Sequence, residues 1–551
     1  VNSIQQSGIA PLHMSAGAGH VEIMKELINK GADVNLCLET DQLTALHICA
    51  SFGALECLQL LLESGVDPLA QTSDSSMNAL HFAAYHGHIS CIQALLDFGC
   101  DINAVSSKTH RSVLHYAMCQ SQEECFEFLM ARGADITLLD INGHSALLCA
   151  PLKSSILSFK CLKHFSLSER RRWFTIAAVD AEKSQTIATS RNSCLLDFRD
   201  VFVELVHLMD ETRCFERVPM VEFGFEKELG KGTGVMREWF DQFDSELIDS
   251  SIMEPSGKAK YHEFTTHIGD ANEERLTQAT IVGMIFALAL IYGHVVPINL
   301  PPYMIKLMLD VSYDISDLES IDTELYEGKI QFLRNCSADE VAALDIYFTQ
   351  AERINGSLVD IELVPNGASK QVSVFNLDEY FHALCYHKIF WSRHDVLDAF
   401  ITSFHRFVPK QLVSSIFTVT EVSQILNASD TPLSVDEWEQ YTAYSNCSSE
   451  QVEIKWFWEI LESLSDSRRR ILLSFCTGSK YLATGGFKRL ADDNSPFTIQ
   501  YQTKLPQGTL PTTRTCFNTL LLPRFDSKKV MQEAFEIILR EQQAGVGFAF
   551  V

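Results

Sequence analysis

Sixteen cysteines are spread along 551 residues, and one of them sits in a setting suited to covalent chemistry. Cys516 lies in Leu510–Pro523, LPTTRTCFNTLLLP, where a polar, turn-prone stretch runs into a leucine-rich, strand-like one. A thiol attacks as its thiolate, so it needs access and nearby positive charge. Arg514, two residues earlier, supplies such a charge. Cys49, Cys57, Cys91 and Cys125 fall in apolar helical stretches and Cys476 in SFCTGS, settings that read as core. No CxxC pair occurs, so the usual spacing of a zinc site is absent, and neither metal nor cofactor is expected. A cysteine hydrolase needs an imidazole base beside its thiol. No histidine follows His405, and the CGSCW-like surroundings of papain-type enzymes are also absent.

The bulk composition bounds what must position this thiol. The length exceeds one hydrophobic core and predicts two to four domains. With 71 Asp+Glu against 44 Lys+Arg, the net charge of −27 disfavours nucleic acid and anionic membranes as partners. The most apolar run, Ala279–Tyr292 (ATIVGMIFALALIY), is shorter than the roughly 20 residues of a membrane span and reads as a buried core helix. No charged-then-apolar leader opens the sequence, which predicts free thiols in a reducing, cytoplasmic compartment. The chain begins at Val1, almost inside the first repeat described next, which points to missing N-terminal sequence.

The first 165 residues repeat. His13, His47, His81 and His115 recur every 34 residues, in LHMSA, LHICA, LHFAA and LHYAM, and Gly31, Gly65, Gly99 and Gly133 keep the same beat. A fifth unit from Gly143 is degraded, with Leu148 at the histidine position. A fixed period of this length predicts a stacked array of helical units. Ile23, Met24, Leu27 and Ile28 make an apolar helical stripe, and the glycine that follows suits a left-handed helix stop. The pattern resembles the ankyrin repeat. That resemblance implies histidines that brace turns by hydrogen bonding, and protein binding on a concave face. A metal ladder is excluded by spacing, since packed helices sit ~10 Å apart and zinc bonds span ~2 Å.

Past Ser166 the beat is lost. SERRRW and EKSQTIATSRNS read as a polar connector with some helix, and LLDFRDVFVELVHLMDE as an amphipathic helix. From Leu195 onward helical signals dominate, with strand-like FTIQYQ and NTLLLP and a last helix from Ser527 in the final third. GTGVMREWF, LIYGHVVPINLP, DLESIDTELYEGKIQFL, FCTGSKYLATGGF, LPTTRTCFNTLLLP and the terminal GFAFV follow in that order. Together they resemble the HECT-type ubiquitin ligase domain, and the array before them resembles the ankyrin–HECT group. Three positions depart from that pattern: Met284 after Gly283, Ala287 at a second glycine, and Arg514 where histidine is common.

The resemblance implies a multidomain chain, an all-α ankyrin solenoid followed by a bilobal α+β HECT domain. It divides into repeats (1–165), a connector (166–194), an N-lobe docking the E2 enzyme (195–426), a hinge (427–429) and a C-lobe with the nucleophile (430–551). It implies that Cys516 takes ubiquitin as a thioester from a ubiquitin-loaded E2 and passes it to a substrate lysine, in the service of protein degradation. Arg514, Thr515, Asn518 and Phe548 support that step. Leu333, Leu344, Tyr380 and Leu384 line an E2 groove. Asn427, Ala428 and Ser429 form the hinge. Candidate partners are the E2, ubiquitin, a protein substrate on the array such as a small Rho-type GTPase, and a second copy of the chain. A catalytically inert ankyrin scaffold and a cysteine hydrolase are the competing readings.

Overall fold

The 34-residue beat folds as four helix pairs: α1 and α2 (Pro11–Ala18, Val21–Asn29), α3 and α4 (Ala45–Phe52, Leu55–Glu63), α5 and α6 (Ala79–His86, Ile89–Asp97), and α7 and α8 (Val113–Cys119, Glu123–Ala131). The computed structural model describes residues 9–150, 159–189, 218–225, 240, 247, 252–256, 261–265, 273–296, 298–354, 357–428, 431–483, 485–492, 495–503, 505–506 and 509–543. The second helix of each pair stops at the expected glycine: Gly31, Gly65, Gly99 and Gly133 all have φ between 82° and 106°, a region where other residues are strained. Leu58, Leu61, Ile92, Leu95, Phe126 and Leu129 are fully buried between the pairs, each stabilising the stack by about 1.5–3 kcal/mol.

The histidines brace this stack. Nδ1 of His13, His47, His81 and His115 accepts the backbone N–H of Ala10, Thr44, Asn78 and Ser112 at 3.1–3.3 Å. Nε2 of the same rings donates to the carbonyls of Leu36, Ala70, Ala104 and His144 at 2.9–3.1 Å. One nitrogen accepts and the other donates, so the arrangement requires neutral imidazole. Burial, the leading cause, lowers the pKa of all four, that of His81 to about 4. In the fifth unit a 3-10 turn, Ala146–Cys149, stands in place of the first helix, and a short helix, Phe159–Leu162, follows.

The sequence reads 166–194 as connector, and the structure differs. Leu167–Ala178 is a helix that buries Trp173 and Phe174, and Phe165 just before it stacks on Phe126 of α8 at 5.6 Å. The first compact unit therefore runs to Ala177 and the second from Ala178 to Val551. The second begins with a strand, β1 (Val179–Thr189), which pairs in parallel with β2 (Val218–Phe225). The amphipathic helix expected from Leu195 lies outside the described residues.

Within the second unit, Glu273–Tyr292 is one helix, long and apolar enough to cross a membrane but buried as the core of its lobe. It packs along the helix His394–Phe407. Gly283 permits that approach: a Cβ there would collide with Ser403 Oγ and the Phe400 carbonyl oxygen. The Arg393 guanidinium binds buried Glu263 at 3.0 Å and the Phe264 carbonyl at 2.6 Å, so the charge is paired as a buried charge must be. Among the described residues, one antiparallel hairpin precedes that long helix, β3 (Met253–Ser256) with β4 (Tyr261–Phe264), and another follows it, β5 (Thr349–Ile354) with β6 (Ser357–Glu362). The C-terminal lobe holds a four-stranded sheet, ordered β7 (Ala443–Ser445), β8 (Thr498–Gln502), β10 (Thr519–Pro523), β9 (Thr512–Arg514). Its core gathers Trp438, Phe457, Phe487, Phe497, Ile499, Leu520, Leu522, Phe535 and Ile538, with Trp438 stacked on Phe487 at 4.6 Å.

Candidate active site

Cys516 occupies the connection between β9 and β10. These strands pair antiparallel, Arg514 opposite Thr519 and Thr512 opposite Leu521. Thr515–Phe517 makes one 3-10 turn, and Asn518 closes it in the left-handed region at φ 48°. Asn518 is buried. Its N–H donates to the Thr515 carbonyl at 3.3 Å, its Nδ2 to the Ser495 carbonyl at 2.8 Å, and its carbonyl accepts the Thr498 N–H at 2.9 Å. The turn is thus tied to β8 as well as to β10. Phe517 beside the cysteine is largely exposed, Arg514 is exposed and Thr515 half-buried. The helix Asp466–Thr477 packs against the turn and β9.

The cysteines read as core are core. Cys49, Cys57, Cys91, Cys125 and Cys476 are fully buried or nearly so, as their sequence contexts predict, and burial pushes each thiol up, Cys91 to about 11 and Cys125 to about 12. A neutral thiol in an apolar setting is a poor nucleophile.

The joint before the C-terminal lobe is more tightly held than a loose connector. Asn427 is buried: Leu300 N–H donates to its Oδ1 at 3.2 Å and its Nδ2 donates to Ser423 Oγ at 2.9 Å. Val296 N–H donates to the Leu426 carbonyl at 2.7 Å. LIYGHVVPINLP is therefore the clamp that holds the chain at the joint. Ala428 forms a bridge to Ala483. On the far side, the Thr431 and Leu433 carbonyls accept from Arg470 and Arg469 at 3.1 and 3.0 Å, anchoring them to the C-terminal lobe. Asn427 is thus an anchor, not a pivot. Ser429 lies outside the described residues, as do Phe548 and all of GTGVMREWF except Phe240, which stacks on His294 at 4.2 Å. The GGF motif caps a helix: the Glu437 carboxylate accepts the N–H of Phe487 at 3.1 Å at the start of Gly486–Asp492.

The expected E2 groove needs correction at three of four residues. Leu333, Tyr380 and Leu384 are core: Leu384 and Tyr380 are fully buried and Leu333 nearly so. The Tyr380 ring meets Phe348 at 5.3 Å, and burial raises its hydroxyl to about 12. Only Leu344 is exposed. Other exposed apolar residues of this region include Phe332, Leu358, Val374 and Phe375, the last fully exposed. Phe375 stands on a rigid 3-10 turn in which Asn376 Oδ1 accepts the Ser373 N–H at 2.7 Å. An aromatic beside a Ser-x-x-Asn turn was the available signal.

The HECT-domain (ubiquitin-transferase) family matches residues 235–549 and the ankyrin-repeat family residues 1–72 and 69–140. The chain belongs to the HECT-domain family, preceded by ankyrin repeats. Among individual relatives it is similar to E3 ubiquitin-protein ligase HACE1 of Mus musculus, 27% identical over 404 residues, 72% of this chain and 44% of the relative. The Homo sapiens protein of that name is 26% identical over the same span. E3 ubiquitin-protein ligase pub1 of Schizosaccharomyces pombe is 28% identical over 347 residues, 62% of this chain and 44% of the relative. The chain spans less than half the length of the curated relatives it matches.

Proposed function

We propose that this chain is an E3 ubiquitin ligase with Cys516 as its acyl carrier. The observation that carries this is a cysteine on a hydrogen-bonded turn between β9 and β10, in a lobe that contains no histidine. The Cys516 thiolate attacks the carbonyl carbon of the E2–ubiquitin thioester; a C–S bond forms, the bond to the E2 sulfur breaks, and the E2 leaves as thiolate. The two thioesters are nearly equal in energy, so the exchange is reversible. A substrate lysine amine then attacks the same carbon, the amide C–N bond forms, the C–S bond breaks, and the proton given up by nitrogen passes through solvent to the departing Cys516 thiolate. Aminolysis of a thioester runs downhill, so the second step drives the first. A serine at 516 would hold ubiquitin as a more stable ester and stall transfer.

The E2 would dock on the exposed apolar residues around Leu344, with Phe332 and Phe375 as its strongest anchors, since large aromatics dominate such contacts. The ankyrin array would select the protein substrate, a small Rho-type GTPase being one candidate, or regulate the ligase through self-association. A cytoplasmic site suits the free thiols among the described cysteines.

The test is incubation with E1, E2, ATP and ubiquitin. A thiol-sensitive ubiquitin adduct that disappears in Cys516→Ala is expected. Failure to form one with any E2 would favour an inert scaffold, and cleavage of ubiquitin chains would favour a hydrolase.

A further inference from the structure

Two thiols meet at the last turn of the array. Cys119 ends α7 and Cys149 ends the 3-10 turn of the degraded fifth unit, and both are partly exposed. The helix α7 packs directly against that turn, which brings the two thiols within reach of each other. Arg111 Nη1 donates to Cys119 Sγ at 3.9 Å. The guanidinium is held in place by buried Asp140, Nε to Oδ2 at 3.6 Å. Asp140 in turn accepts the N–H groups of Asn142 and His144 at 2.9 Å, and His144 Nδ1 lies 3.8 Å from its Oδ2.

The contrast with the rest of the array isolates this pair. Cys49 and Cys57 also lie close together, but they are fully buried, and both thiols are pushed up by burial. The neighbouring Cys149 thiol, aided by Arg111, instead brings Cys119 down to about 7, while Cys149 is pushed up. The other array thiols Cys91, Cys100 and Cys125 are likewise pushed up by burial. The place of Cys119 in the fold also has a structural meaning. Leu148 stands where the other units have their bracing histidine, so this end of the array lacks the clamp that its neighbours share.

We propose that Cys119 and Cys149 form a hydroperoxide-sensitive dithiol that closes to a disulfide and braces the degraded fifth unit to the fourth repeat. The Cys119 thiolate attacks one oxygen of the hydroperoxide; an S–O bond forms, the O–O bond breaks, and the leaving oxyanion takes up a proton as water or alcohol. The Cys149 sulfur then attacks the Cys119 sulfur, the S–S bond forms, the S–O bond breaks, and the departing hydroxide leaves with the Cys149 proton as water. Two thiols lose two electrons and the peroxide gains them.

The experiment treats the reduced full-length chain with hydrogen peroxide at pH 7, alkylates it, and maps peptides without reductant. A Cys119–Cys149 cross-linked peptide should appear before any oxidation at Cys37 or Cys336, which are also partly exposed. Cys149→Ser should leave a dimedone-reactive sulfenic acid on Cys119. Arg111→Gln should move the Cys119 alkylation profile to higher pH and slow cross-linking several-fold, with Arg111→Lys restoring part of the rate. The melting temperature of the oxidised chain should rise and return on reduction. Cys119 alkylating no faster than Cys37 or Cys336, or a sulfenic acid that persists on Cys119 while Cys149 is present, would overturn the proposal.

Discussion

Asn518 is the residue on which the geometry around Cys516 depends most. It adopts φ 48°, where Asn is tolerated and alanine costs roughly 1 kcal/mol or more. Its buried Nδ2 satisfies the Ser495 carbonyl, a bond worth about 1 kcal/mol. Asn518→Ala removes both contributions and should destabilise the C-terminal lobe by about 1–3 kcal/mol, with a fall in ubiquitin loading of Cys516. Asn518→Gly restores the backbone freedom but not the hydrogen bond and should recover about half of the loss. Chemical denaturation alongside single-turnover loading checks both, and equal loss in the two variants would show that the left-handed turn is not what matters. At this scale the sequence was informative about the turn that carries Cys516, because a polar turn running into a leucine strand is a local pattern. It was uninformative about Leu333, Tyr380 and Leu384. An apolar residue on a helix has the same spacing whether it faces a core or lines a groove, and only the neighbours distinguish the two.

At the scale of elements, the array histidines couple folding to pH. His13, His47, His81 and His115 are held neutral, with pKa values below 6.5, because burial opposes their charge and Nδ1 is occupied as an acceptor. In the unfolded chain they protonate near 6.5. Their contribution to stability is therefore complete above about pH 6.5 and lost as pH falls through that value toward the folded-state pKa. For His81, at about 4, the loss is on the order of 3 kcal/mol by the acid end of that window. Hydrogen exchange of the array between pH 7 and pH 4.5 should show protection falling in α3 to α7. His81→Gln should flatten that dependence while lowering stability at pH 7, and a pH slope unchanged in the variant would refute the assignment. The array was the most legible part of the fold, since its period, its glycine stops and its clamping histidines all recur within one repeat length. The strand β1 was not legible: its alternation of small and charged residues resembles a linker, and its partner β2 begins 39 residues from its start.

At the scale of the whole chain, the proposed reaction requires one cysteine to meet an E2 and then a lysine. The hinge expected at Asn427, Ala428 and Ser429 was placed from composition, which could not reveal that Asn427 binds Leu300, 127 positions away. Asn427 is anchored to the N-terminal lobe and Thr431 and Leu433 to the C-terminal lobe, so the pivot that the proposed transfer needs would fall between these anchors. Among the described residues, the bridge from Ala428 to Ala483 and Arg489 Nη1 donating to the Gln424 carbonyl at 2.6 Å cross the joint. Both are few enough to break at modest cost, as an exchange between docked arrangements requires. Two variants separate anchoring from pivoting. Asn427→Ala leaves the Leu300 N–H unsatisfied and should cost about 1–3 kcal/mol of stability, while transfer per folded molecule persists. Ala428→Pro removes backbone freedom at the pivot and should slow passage of ubiquitin to lysine at least several-fold, with the fold intact by circular dichroism. The rates of E2-to-Cys516 and Cys516-to-lysine transfer, measured separately in single turnovers, decide the matter. If the proline variant keeps both rates, the lobes need no pivot at 428–430, and the thiol must reach its two partners by rearrangement elsewhere.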